Sequence, residues 1–498
     1  MLKKLLLLGL TLAMLLAGGV VAAGAWVWHR AALSTVGQVE FDRPLAIPPL
    51  AESRTDSQGR RVFELTAAPG SHDFGRGPVP TYGFNGAHLG PTLRATRGEQ
   101  VVVNVTNQLS EATTVHWHGM HLPAVMDGGP HQMVAPGQTW SPTWQIDQPA
   151  ATLWYHPHPH GQTEKHVYRG LAGMFLLDDP AADALDLPRD YGIDDIPVIV
   201  QDKKFRGGKL ADEPNFLSDI GILGDTIAVN GTVGGYLDVT TERVRLRLLN
   251  GSTARTYQFG FSDDRTFALI GTDGGLLPAP HQTDRIMLSP GERAEIVVAM
   301  RPGEQTVLRS YPPSTGGPLD RFTGGDDTLD VLQLRAADQL QPRPPLPERL
   351  VDVPRLDPDT ATATRQFRLS GRQINGQSMD MGRIDFAVEA GSVEIWRVRN
   401  ADGVQHNFHI HDVQFQVLSR NGSAPPPELA GWKDTILLPP GEQAELIARF
   451  ADYPDPAAPY MFHCHLLTHE DSGMMGQFVV VNPGSQPQPP HRPGEHDH

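Results

Sequence analysis

The residues best equipped for chemistry stand together near the C-terminus, from Met461 to Met474. Cys464 is the only cysteine in the 498-residue chain, and His463, His465, His469 and Met474 surround it. A thiolate, an imidazole and a thioether at this spacing suit a blue-copper site, which takes two histidines, one cysteine and a weak axial methionine. One histidine of that set lies elsewhere. Successive side chains of a β-strand point to opposite faces, so His463 and His465 should share a face that Cys464 does not. Three further His-x-His pairs match them: His116 and His118, His156 and His158, His409 and His411. On a strand each pair sets two imidazoles about 6–7 Å apart on one face. A single pair is weak evidence, because histidines also sit satisfied in cores; four pairs are strong evidence. Eight imidazoles exceed one metal ion and suit three ions with two or three ligands each, leaving positions open for a small molecule.

These ligands need strands to hold them, and the chain is punctuated for strands. Its 51 glycines and 44 prolines fit many short strands and turns better than long helices. Three Asn-Gly turns recur 145 positions apart, at Asn85, Asn230 and Asn375. Each precedes an apolar strand that ends in asparagine (Asn107, Asn250, Asn400), and a Pro-Gly turn follows (Pro136, Pro290, Pro440). Such a period exceeds a solenoid unit and reads as three copies of one small β-sandwich. The expected division is a signal or anchor over 1–30, a linker over 31–54, a first domain over 55–180 and a second over 181–340. A linker over 341–359, a third domain over 360–482 and a disordered tail over 483–498 complete it. The outer copies hold the clustered histidines. The middle copy holds only His281 and reads as a spacer.

Composition narrows the function. A net charge of −16 argues against nucleic acid as a partner. A single cysteine excludes an intrachain disulfide framework. Lys3 and Lys4 precede an uncharged run from Leu5 to Trp28, closed by His29 and Arg30. This predicts export with the N-terminus left in the cytoplasm. The run is long for a cleaved signal, so an anchor over residues 5–28 is expected, with Ala22–Ala25 as the cleavage alternative. The destination is then periplasmic or extracellular, and metal is acquired there.

Together, His116-Trp117-His118-Gly119, Trp154-Tyr155-His156-Pro157-His158, His406-Asn407-Phe408-His409-Ile410-His411 and His463-Cys464-His465 through Met474 resemble the four copper motifs of the multicopper oxidases. Val125 to Pro130 and Gly431 to Thr435 add to the likeness, which runs from about residue 55 to 482 and is nearest to the bacterial copper-efflux and bilirubin oxidase branch. The resemblance implies an all-β fold of three cupredoxin-like Greek-key β-sandwich domains and four copper ions in one monomeric chain. It implies His406, Cys464 and His469 as type 1 copper ligands with Met474 axial, and His116 and His409 as type 2 ligands. His118, His156, His158, His411, His463 and His465 would serve the type 3 pair. It further implies dioxygen as acceptor, and Asp127 and Glu470 as proton relays, against the alternative of ordinary surface carboxylates. Asp434 either orients a ligand or caps a turn. Asp402 borders the type 1 site or merely forms an Asp-Gly turn. Trp117, Trp154 and Tyr155 are expected to pack around the cluster, and His121, His131, His160 and His166 to lie outside the ligand set.

Two departures bear on the electron donor. Residues 310–372 hold no methionine and no histidine, where copper-efflux relatives carry a Met/His-rich insertion, and Val404 stands where those enzymes have methionine. An open type 1 edge suited to phenolic or other aromatic donors is therefore expected ahead of Cu(I) oxidation, with an envelope scaffold as a third reading. Asn407 stands where the family usually has proline.

Overall fold

The computed structural model describes residues 2–215 and 218–490; the side chains of 2–13, 20 and 21 lie outside that description. Strands make up 44% of the chain and helices 9%, so the fold is all-β. Its larger sheets pair off into three cupredoxin-like sandwiches. The asparagine repeat is a set of equivalent cross-links. The side-chain N–H groups of Asn107 donate to the carbonyls of Glu111 and Val134. Those of Asn250 donate to Arg255 and Leu288, and those of Asn400 to Val404 and Leu438. Each asparagine thus satisfies carbonyls left bare where its strand ends. The turn asparagines 85, 230 and 375 have φ of 55°, 50° and 54°, the left-handed region that asparagine tolerates better than most residues.

The strands that carry the paired histidines lie in two sheets. In the first sandwich, His116–His118 pairs antiparallel with Ala151–His156, setting His116 opposite His156 and His118 opposite Trp154. In the third, His406–Ile410 lies between Tyr460–His463 and Thr435–Leu438, with His409 opposite both His463 and Thr435. Behind this sheet Cys464 and Met474 belong to an apolar cluster with Trp396, Phe408, Phe462 and Phe478. Burial of such side chains contributes about 1.5–3 kcal/mol each and fixes the backbone that carries the ligands.

Segment 31–54, expected as a linker, lies along the body. Arg43–Pro44 pairs parallel with Gly235–Tyr236, and Ser53–Thr55 pairs antiparallel with Arg61–Phe63. Residues 2–31 form one helix. Among the described residues no helix is long and apolar enough to cross a membrane, so the anchor expected over 5–28 is without support. The helix end docks on the middle sandwich, where Arg321 Nε donates to the Trp28 carbonyl at 2.7 Å. In the tail, Gln488 N donates to the Pro456 carbonyl; residues 491–498, with His491, His496 and His498, lie outside the described residues.

Candidate metal centre

The strand Tyr460–His463 ends two residues short of His465. The zigzag nevertheless continues, because Cys464 N donates to the Met474 carbonyl and His465 N to Asn407 Oδ1. Cys464 therefore faces one way and its two neighbours the other. On its side, His406 Nδ1 and His469 Nδ1 each lie 3.6 Å from Cys464 Sγ and 3.1 Å from one another. The outer nitrogens are fixed. His406 Nε2–H donates to Asp402 Oδ2 at 2.8 Å, and His469 Nε2–H to the Asp219 carbonyl at 2.8 Å. With the proton on Nε2, both Nδ1 lone pairs point at the sulfur. A thiolate with two inward imidazole lone pairs is a donor set that suits copper. Met474 is fully buried in the same cluster, and its N–H donates to the His469 carbonyl.

The open edge expected from Val404 and the missing insertion is not there. His406, Cys464 and His469 are buried, and Asp402 and Asp219 occupy the nitrogens that would face a donor. Asp402 also forms the turn, accepting from Ser370 Oγ and Gly371 N.

On the other side all eight remaining histidines are buried and converge. The same tautomer logic holds in six of them. His116 Nδ1–H donates to the Asp127 carbonyl, His409 Nδ1–H to the Asp434 carbonyl and His156 Nδ1–H to the Pro157 carbonyl. His463 Nδ1–H donates to the Cys464 carbonyl and His411 Nδ1–H to Asp127 Oδ2. His118 is reversed, giving Nε2–H to Asp434 Oδ1 at 3.0 Å. A carbonyl only accepts, so each opposite nitrogen carries a lone pair. Those nitrogens crowd together: His158 and His463 Nε2 are 3.1 Å apart, and His411 and His463 Nε2 3.3 Å. His116 Nε2, His409 Nε2 and both nitrogens of His465 have no hydrogen-bond partner. Buried lone pairs without donors are costly, and metal ions relieve that cost. Burial holds His118, His156, His409 and His411 well below the usual imidazole range and takes His158 and His465 to about 3, so these rings are neutral, as ligands must be.

Two buried carboxylates close the site. Glu470 lies 3.4 Å from His158 Nδ1 and 3.2 Å from His463 Nδ1. Asp127 touches His411 and His116 at 2.7 and 3.3 Å. Trp154 stacks on His156 at 4.0 Å, whereas Trp117 turns into the first sandwich core beside Trp144. His121 pairs with Asp412, His131 with Gln477 and His166 with Thr113, all away from the converging nitrogens; His160 is exposed.

Sequence reading missed how much of the wall comes from afar. Asn407 Nδ2 donates to Ser289 Oγ and the Pro290 carbonyl of the middle sandwich. The only sequence signal for this was asparagine in place of proline.

Multicopper oxidase family models match residues 68–182, 198–312 and 349–484. The chain belongs to the multicopper oxidase family. It is 36% identical over 449 residues to multicopper oxidase mco of Staphylococcus haemolyticus, covering 88% of this chain and 92% of that protein. It is 38% identical over 452 residues to cell division protein FtsP of Xenorhabdus nematophila, with coverage of 88% and 92%. Among solved structures it resembles a laccase-like multicopper oxidase, CueO, from Ochrobactrum sp., described with activity towards lignin model compounds. There the TM-score is 0.80 at 37% identity, covering 88% of this chain and 100% of that one. Family membership implies copper, with dioxygen and a reductant as substrates.

Proposed function

We propose that this chain is an exported oxidase that takes single electrons from phenolic or other aromatic donors and delivers them to dioxygen, which is reduced to water. The observation that carries this reading is the junction at His463-Cys464-His465, where one residue faces the thiolate site and both neighbours face the imidazole cluster. His406, Cys464 and His469, with Met474 axial, are assigned to a type 1 copper, and His116 and His409 to a type 2 copper. His118, His156, His158, His411, His463 and His465 are assigned to a type 3 pair, giving four ions. Bound there, copper supplies one-electron acceptance at the first site and four-electron reduction of dioxygen at the second.

The residues do the rest. The Cys464 backbone links the two sites covalently, through neighbours on either side. Burial excludes water from both and keeps the rings of His118, His156, His158, His409, His411 and His465 neutral. Asp127 and Glu470 are the carboxylates placed to pass protons between solvent and the cluster; such a role contributes about 10²–10⁴-fold in rate. Asp402 and the Asp219 carbonyl cover both outward ring nitrogens, so a donor delivers its electron across them. The charge pattern of the first 30 residues supports export.

The test uses the full chain loaded with copper: its visible spectrum, and its oxygen uptake with a phenol and with Cu(I). A band near ~600 nm with phenol-driven uptake is expected. A colourless protein would sink the type 1 assignment, and uptake with Cu(I) alone would replace aromatic donors by cuprous ion. The FtsP relative favours a second reading, a non-enzymatic envelope scaffold. Its signature is a blue protein that consumes no oxygen with either donor.

A further inference from the structure

The middle sandwich carries none of the assigned ligands, yet one of its turns forms a wall of the centre. The same turn occurs in all three copies. In the outer two, Gly137 and Gly441 face open space: a Cβ added at either meets nothing within 4 Å. Gly291 differs. A Cβ there would stand 3.2 Å from three atoms of the His465 ring. The backbone of the turn therefore lies flat against an imidazole whose two nitrogens have no hydrogen-bond partner.

Two residues on, Arg293 is buried and uses all five of its N–H donors. Nε donates to the Thr152 carbonyl at 3.0 Å, in the first sandwich. Nη1 donates to the Gly291 carbonyl and Nη2 to the Asp273 carbonyl, in its own. The pair then grips Asp434 of the third sandwich in a fork, Nη1 to Oδ1 at 2.8 Å and Nη2 to Oδ2 at 2.6 Å. Asp434 Oδ1 in turn accepts from His118 Nε2 at 3.0 Å, which leaves Nδ1 facing the cluster. Between them, Glu292 binds Lys433, the residue before Asp434, at 2.7 Å. A bidentate guanidinium fixes both the position and the plane of a carboxylate.

We propose that the Pro290–Arg293 turn of the middle sandwich is the positioning element of the trinuclear site, Arg293 setting His118 through Asp434 and Gly291 setting His465 by direct contact. This rests on the copper reading above. The middle copy, without ligands of its own, then serves to hold those supplied by the other two.

The test compares Gly291→Ala, Gly441→Ala and Arg293→Met in the full chain, each loaded with copper. Gly291 and Gly441 have φ of 85° and 78°, so the two alanine variants carry similar backbone strain and differ in the ring contact. Expected for Gly291→Ala and Arg293→Met are an unchanged blue band per chain, an added electron paramagnetic resonance signal from a type 3 pair that is silent while its two coppers are coupled, and kcat lowered about 10–100-fold with KM for the donor unchanged. Gly441→Ala should match wild type throughout, and Arg293→Lys should show only part of the added signal. Wild-type resonance spectra in both Gly291→Ala and Arg293→Met would overturn the proposal, as would equal changes in Gly291→Ala and Gly441→Ala. Should Arg293→Met fail to fold, the two alanine variants decide. Wild-type protein without blue and type 2 signals would instead overturn the copper reading itself, and this proposal with it.

Discussion

Asn407 Oδ1 lies 3.5 Å from Cys464 Sγ while accepting the His465 N–H at 2.6 Å. The amide cannot turn over, because its Nδ2 is committed to Ser289 and Pro290. The negative end of a fixed dipole therefore faces the sulfur, where it favours the more positive, oxidised state. Asn407→Ala is expected to raise the type 1 reduction potential, read by redox titration of the blue band. It should also destabilise the protein by about 1–3 kcal/mol, since buried partners lose their bonds. A potential that stays put or falls would show that the dipole does not act on the site.

Cys464→Ser should abolish the ~600 nm band and oxidation of every donor, because only a thiolate gives that absorption. The fold and the type 2 signal should persist, since the eight imidazoles lie on the opposite side. Circular dichroism and paramagnetic resonance check this. Undiminished oxygen uptake by the variant would refute electron delivery through Cys464.

Glu470→Gln and Asp127→Asn separate proton delivery from electron delivery. Under anaerobic conditions, bleaching of the blue band by a phenol should proceed at the wild-type rate. Steady-state turnover with oxygen should fall about 10²-fold or more if both carboxylates carry protons. Equal slowing of both steps would mean a structural role.

Acid stability has a candidate outside the histidine cluster. Glu295 lies among Arg245, Arg247 and Thr152 at the seam of the first and middle sandwiches. Burial raises it, but Arg245 and Arg247 prevail and hold it at about 2. A depressed carboxylate contributes stability above its unfolded pKa, near 4.5, and loses it as pH falls towards 2. The contribution is about 3 kcal/mol, from 1.36 kcal/mol per pK unit. Glu295→Gln should lower stability at pH 7 and flatten its dependence below pH 4.5, measured by denaturant unfolding; an unchanged acid limb would count against the pairing.

The placing of the cysteine and histidine side chains was legible in sequence wherever it depended on neighbours along the chain. Strand alternation separates Cys464 from His463 and His465, and the asparagine repeat marks three equivalent strand ends. What escaped were the contacts that the middle sandwich makes with the other two. Arg293 reaches an aspartate 141 positions away, and Asp219 caps a histidine 250 positions away. No local period encodes such pairs, because packing of separately folded cores creates them. The expectation of an exposed type 1 edge failed for that reason: it weighed Val404 and a missing insertion, while a carbonyl of the middle sandwich did the covering.

The imidazole cluster also has a consequence for how the protein is made. Its members come from 116–158 and 409–465, and His411 meets Asp127 across 284 residues. Closing so long a loop is slow compared with forming each sandwich. A chain emerging N-terminus first can complete the first sandwich while half of the cluster stays bare until the last strands arrive. Four of the eight imidazoles then wait beside water, able to bind whatever divalent ion is nearby. Order of chain emergence, as much as geometry, bears on which half of the cluster is in place first.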